Sequence, residues 1–155
     1  MKKITFLVFI LLTLTCSLYS QLAVGYQTDG NTLSVSTNPL NKLWGELRVN
    51  TKEYNQAGWS YSDKGITQAY LMLTLFSSKN ITLFAGGGVG INTLSKGSDL
   101  WVSANVPVGV RMNPFVSLPD FYLVGEYNPM IIIKKDIPTI HCMALGFRYI
   151  IGRKE

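Results

Sequence analysis

From residue 21 onward the chain alternates apolar and polar residues with a period of two almost without interruption, and no other feature restricts its fold so strongly. Gly, Pro, Asn, Asp and Ser punctuate this pattern into eight segments: Gln21 to Thr28, Asn31 to Asn38, Leu43 to Thr51, Ile66 to Ser77, Ile81 to Asn92, Leu100 to Asn113, Phe121 to Met130 and Thr139 to Ile151. None reads as a helix. Past Gln21 there is no apolar run of about 18 residues, so a membrane-embedded form would have to be a closed barrel. Most segments reach the ~9 to 11 residues that a tilted strand needs to cross a bilayer, the first two being marginal.

The first twenty residues follow another rule. Lys2 and Lys3 precede an apolar run from Ile4 to Leu14, then the small or polar residues Thr15, Cys16, Ser17 and Ser20. This is the layout of a secretory signal peptide, and the expected organisation is a signal peptide over 1–20 followed by one β-barrel domain over 21–155. Removing 1–20 takes away Lys2, Lys3 and Cys16, which leaves 12 basic and 9 acidic residues and a single thiol, Cys142. No internal disulfide can then form. With 47% apolar and 15% charged residues the chain is too greasy for a disordered tail, and two cysteines cannot build a disulfide scaffold or a four-ligand zinc site. Lysine and arginine cluster only at Lys134-Lys135 and Arg153-Lys154, so nucleic acid is not an expected partner.

Alternation sorts each strand into two faces. In the third, Leu43, Gly45, Leu47 and Val49 oppose Trp44, Glu46, Arg48 and Asn50; in the sixth, the valines 102, 106, 108 and 110 oppose Trp101, Ser103, Asn105, Gly109 and Arg111. A solvated sandwich face would be rich in Lys, Glu and Thr. Here it is Gly, Ser and Asn with a few Arg and Glu, which suits a crowded lumen with the apolar face turned to lipid. Asp29-Gly30 predicts a two-residue hairpin pairing Thr28 with Asn31, hence Gln27 with Thr32, Gly25 with Ser34 and Ala23 with Ser36. A three-residue loop at Ser78 to Asn80 pairs Ser77 with Ile81 and sets Tyr70 beside Gly88 and Met72 beside Gly86. The expected fold is all-β, a closed antiparallel eight-stranded up-and-down transmembrane barrel. With the amino terminus on the inner side, the longest connection, Lys52 to Gly65, faces outward.

On these segments the chain resembles the small eight-stranded outer-membrane barrels, the OmpX-like proteins and the transmembrane domain of OmpA-type proteins. The most specific local likeness is Gly146-Phe147-Arg148-Tyr149-Ile150-Ile151, which is similar to the carboxy-terminal signal of such barrels. The resemblance implies an outer-membrane location, contact with outer-membrane lipid, recognition by the barrel assembly machinery through Gly146, Phe147, Tyr149 and Ile151, and a monomer. Ala144 and the extension Gly152 to Glu155 depart from the pattern.

The chemistry-bearing residues are few. Gly86-Gly87-Gly88-Val89-Gly90 lacks the Lys and Ser/Thr of a phosphate loop and reads as barrel-bending glycine. His141, the only histidine, falls on the outward face, and Cys142 on the inward one, where it reads as a filler. Tyr54, Trp59 and Tyr61 crowd the longest outer connection as interface anchors or partner contacts. Lys134-Lys135 could meet anionic headgroups. Inward charges are the sharpest feature. Glu46, Arg48, Arg111, Glu126 and Arg148 fall, at ~3.3 Å per residue and without allowance for strand stagger, in one layer ~7 to 17 Å from the inner rim. Glu126, on the strand between those of Arg111 and Arg148, is expected to bridge the two guanidiniums and plug the lumen.

The function expected from these residues is non-enzymatic, without cofactor or metal: a barrel with a plugged polar lumen acting through its outer loops or surface in envelope integrity, adhesion or partner docking. The alternatives are a narrow solute or ion pore and a soluble secreted β-sandwich. A lone outward histidine gives a hydrolytic reading little to work with.

Overall fold

A computed structural model of the chain describes residues 21–51, 54–56, 59–61, 65–92, 101–115, 117–133 and 139–152; the side chains of 54–56 and 59–61 are outside that description, as are the expected signal peptide and Lys134-Lys135. Eight barrel strands follow the period-two segments: β1 Leu22–Gln27, β2 Thr32–Thr37, β3 Leu43–Asn50, β4 Ile66–Ser77, β5 Ile81–Asn92, β6 in two pieces, Val102–Asn105 and Val108–Met112, β7 Phe121–Ile132 and β8 Ile140–Ile151. A separate hairpin pairs Tyr54–Gln56 with Trp59–Tyr61 in the connection after β3. Each barrel strand pairs antiparallel with the next, and β8 returns to β1 through six residue pairs from Leu22↔Ile151 to Gln27↔Gly146. The ring is closed, which rules out the two open sheets of a sandwich.

Closure comes with stagger. The register partners of Ala23 lead through Ser36, Glu46, Tyr70, Gly88, Asn105 and Met130 to Ile140, whereas Ala23 is paired directly with Ile150, ten residues further along β8. Strands so offset must tilt strongly against the barrel axis, and residues at equal distances from their strand ends stand at different heights.

Two turns differ from expectation while the registers they set do not. Gln27↔Thr32, Gly25↔Ser34 and Ala23↔Ser36 hold, but Asp29–Asn31 forms a 3-10 turn and not a two-residue hairpin, with Gly30 and Asn31 at φ +56 and +51. A side chain at Gly30 would also run into Asn50. At the β4–β5 turn Ser77 pairs with Thr82, not Ile81, and a bulge between Thr74 and Phe76 takes up the extra residue. Tyr70 therefore meets Gly88 and Met72 meets Gly86, as expected, and a Cβ on Gly88 would overlap both the Tyr70 ring and the Ala69 carbonyl. Strand six is interrupted where Pro107 lacks an amide to pair. There Gly86 N–H donates to the Pro107 carbonyl and Val106 N–H to that of Pro129, so the ladder crosses the break.

The outside of the ring is predominantly apolar. Leu33, Leu47, Leu71, Val89, Val108, Leu123, Ile131, Met143 and Leu145 all stand exposed, Met143 and Leu145 at 79% and 70%. The inside is denser in aromatics than the sequence pattern suggests: Trp44, Tyr70, Met72, Phe84 and Val124 form one buried cluster, while Ile66, Trp101, Met130, Ile132, Ile140 and Cys142 form another. A monomer in water could not carry so large an exposed apolar surface, whereas lipid tails cover it without cost. Leu71→Arg, at mid-strand on that surface, is expected to cost about 2 to 4 kcal/mol of unfolding free energy in lipid vesicles. Denaturant titration reads this directly, and a cost near zero would mean the Leu71 face is wet.

Candidate functional site

The lumen is crossed by a chain of buried ions. From β3, Glu46 and Arg48 point inward two residues apart, and Arg48 Nη2 donates to Glu46 Oε2 at 2.9 Å. The other side of the same guanidinium meets Glu126 of β7 in a fork, Nη1 to Oε1 at 2.5 Å and Nη2 to Oε2 at 2.8 Å. Arg148 of β8 donates Nη2 to the free oxygen of Glu46, Oε1, at 2.6 Å. The order across the lumen is thus Arg148, Glu46, Arg48, Glu126, joining three strands, with each residue at most 7% exposed. Aromatic faces flank the cations: the Arg48 guanidinium lies 4.4 Å from the Tyr70 ring centre and that of Arg148 lies 4.7 Å from Trp44. Tyr70 is itself held at its hydroxyl, which accepts hydrogen bonds from Asn105 and Asn128 at 3.2 and 2.7 Å.

Local sequence makes room for these long side chains. Facing them on β1, β2 and β8 are Ala23, Gly25, Ser34, Ser36, Ala144 and Gly146, all small, so the wall recedes where the guanidiniums extend. Four of the five charged residues singled out from the sequence come together. Arg111 does not, and Glu126 does not bridge Arg111 and Arg148. Register explains the difference: the β7 residues opposite Arg111 and Arg148 are Val124 and Tyr122, so Glu126 stands two and four residues further from that end, about 7 and 13 Å along the strand. Arg111 instead donates Nη1 to the Pro39 carbonyl at 2.6 Å and lies 5.3 Å from the Tyr122 ring. Glu46, not Glu126, is the carboxylate shared by two arginines.

The remaining candidates are dispersed. His141 is on the outer face, stacked against Tyr127 with ring centres 6.0 Å apart and its Nδ1 2.6 Å from the Tyr127 hydroxyl. Cys142 is a buried free thiol near the β1–β2 turn. In that turn, burial pushes the Asp29 carboxyl up to about 6; the Cys142 hydrogen bond and Arg48 oppose the rise, and Glu126 adds to it. The sequence marks Asp29 only as a turn residue and not as part of a site, because a turn aspartate ordinarily faces water. The side chains of Tyr54, Trp59 and Tyr61 lie outside the described residues, and no group of three or more metal-binding side chains occurs among the described ones.

Two outcomes follow from this geometry. Glu46→Gln deprives two guanidiniums of a carboxylate and Glu126→Gln only one, so denaturant unfolding in vesicles should show Glu46→Gln the costlier, by several kcal/mol against wild type. The opposite order would contradict the pairing. Asp29 binds its proton more tightly folded than unfolded, so its contribution to stability is complete below about pH 4 and is lost as pH rises through 6. Asp29→Asn should remove that part of the pH dependence, read as the difference between wild-type and variant unfolding curves at pH 4 and pH 7.

No protein-family model matches the chain, and no curated protein matches it in sequence. Solved structures do match in fold. The crystal structure of the N-terminal β-barrel domain of Pseudomonas aeruginosa OprF superposes with a TM-score of 0.59 at 13% identity, over 84% of this chain and 96% of that one. The Yersinia pestis outer membrane protein Ail, determined in a phospholipid bilayer nanodisc, gives a TM-score of 0.48 at 15% identity, over 84% and 97% of the two chains. With its closed ring and apolar exterior, the chain has the fold of a small eight-stranded outer-membrane barrel.

Proposed function

We propose that the mature chain is an integral outer-membrane protein with a closed lumen, which works through its outer connections and surface in envelope integrity, adhesion or docking of a partner, and not by transport or catalysis. The observation that carries this reading is the ionic chain from Arg148 to Glu126, which is buried inside the ring along with Trp44, Tyr70 and Phe84. Eight strands enclose only enough space for side chains, and here that space holds paired charges and rings. A solute would have to break a buried salt bridge to pass.

The barrel end bearing Gln21 and Gly152 faces the periplasm in this reading, so the long connection 52–65, which includes Tyr54, Trp59 and Tyr61, faces outward. Short turns at that end, Asn38 to Lys42 and Ser78 to Asn80, fit the periplasmic side of such barrels. Phe147, Tyr149 and Ile151 alternate on the exposed face of β8, where the assembly machinery would read them, and Gly146 precedes them. The ladder closes within one chain, which supports a monomer.

Single-channel recording in a planar bilayer tests the closed lumen. Wild type should stay silent, and Glu46→Ala or Glu126→Ala should open measurable conductance. Steady conductance through wild type would establish a pore and overturn the plug.

A further inference from the structure

At the end of the barrel bearing Gln21 and Gly152 a cavity of about 380 Å³ opens between the β2–β3 turn, the β4–β5 turn and the β6–β7 connection. Its walls take Leu40 from the β2–β3 turn, Lys79 from the β4–β5 turn, Phe115 from the β6–β7 connection, and Ser77, Thr82 and Arg111 from the strands. Arg111 is 2% exposed, yet no carboxylate of the described residues pairs with it. Glu46 and Glu126 are committed to Arg48 and Arg148, and Asp120, on the same connection as Phe115, does not line the cavity. One Arg111 donor goes to the Pro39 carbonyl, while Nε has no hydrogen-bond partner among the described residues.

A buried cation without a counter-charge is costly, and so is an idle donor beside it. Across the lumen the described strands carry three guanidiniums, Arg48, Arg111 and Arg148, against two carboxylates, and the surplus falls at this cavity. Lys79 at the rim adds a second cation to the same space. The Ser77 and Thr82 hydroxyls share one hydrogen bond at 3.2 Å, in which either can donate, so one hydroxyl hydrogen stays available. Leu40 and Phe115 supply an apolar wall.

We infer that this mouth binds a phosphate monoester, its phosphoryl group between Arg111 and Lys79 and its organic part against Leu40 and Phe115. Two cations suit a dianion better than a carboxylate, and a guanidinium offers the forked donors that a phosphoryl group accepts. The site stands apart from the ion chain and does not require that the lumen be closed.

The test uses the folded barrel in phosphate-free maltoside micelles, followed by the ¹⁵N–¹H resonance of Arg111 Nε. One arm titrates phenyl phosphate at constant ionic strength set with chloride; the other titrates short-chain phosphatidic acid, which presents the same group on a lipid. A saturable shift in the first arm identifies a soluble ester as the source, and a shift confined to the second identifies a lipid headgroup. Lys79→Gln, at an exposed turn where folding is indifferent to the change, should weaken either by about threefold or more. No saturable shift in either arm, or equal affinity in wild type and Lys79→Gln, would overturn the assignment.

Discussion

An amide facing a hydrocarbon tail has nothing to bond with but another part of its own chain, and the six pairs between β1 and β8 are where this chain meets that demand. Everything else is shaped by the way the seam closes. Joining eight strands with a ten-residue offset tilts them, and strand number and tilt together set the width of the lumen. Charged side chains turned into it and buried there need partners of opposite sign. The ion chain is one solution to that problem, and the receding wall of Gly25, Ser34 and Ala144 is its counterpart in backbone and small residues.

The two faces of every strand were legible because a period of two has only two outcomes, and one set of residues is plainly apolar. Trp44, Glu46, Arg48 and Asn50 point inward, and His141 points out, as alternation requires. Pairing across the lumen was not legible. It depends on height, height depends on stagger, and stagger is a property of the closed ring that no single strand carries; strand order alone puts Glu126 next to Arg111, and register separates them. The aromatic partners of the cations escaped for the same reason. Trp44 and Tyr70 could be assigned to the inside, but which guanidinium each would meet depends on strands distant in sequence. Asp29 shows a second limit: its turn is short, so its carboxyl sits beside Cys142 and the buried ions, which composition alone does not convey.

The chain also divides labour between its two surfaces in a way that the sequence pattern understates. Outside, Leu and Val need only be apolar, since lipid adapts to their shape. Inside, the fit is specific. Tyr70 spans a glycine, an arginine and two asparagines at once, so its position is set from four directions.

The β4–β5 hairpin contains the equivalent of a suppressed frameshift. Its turn is one residue longer than the register needs, and the bulge at Leu75 is one residue of slack that restores phase before Met72 and Tyr70 reach their glycines. Neither irregularity is tolerable alone: without the bulge, residues 66–74 would slip by one against β5, and Gln68, Tyr70 and Met72 would turn into the lipid while leucines filled the lumen. The length of that turn and the presence of the bulge are thus a single heritable trait written at two places in the chain.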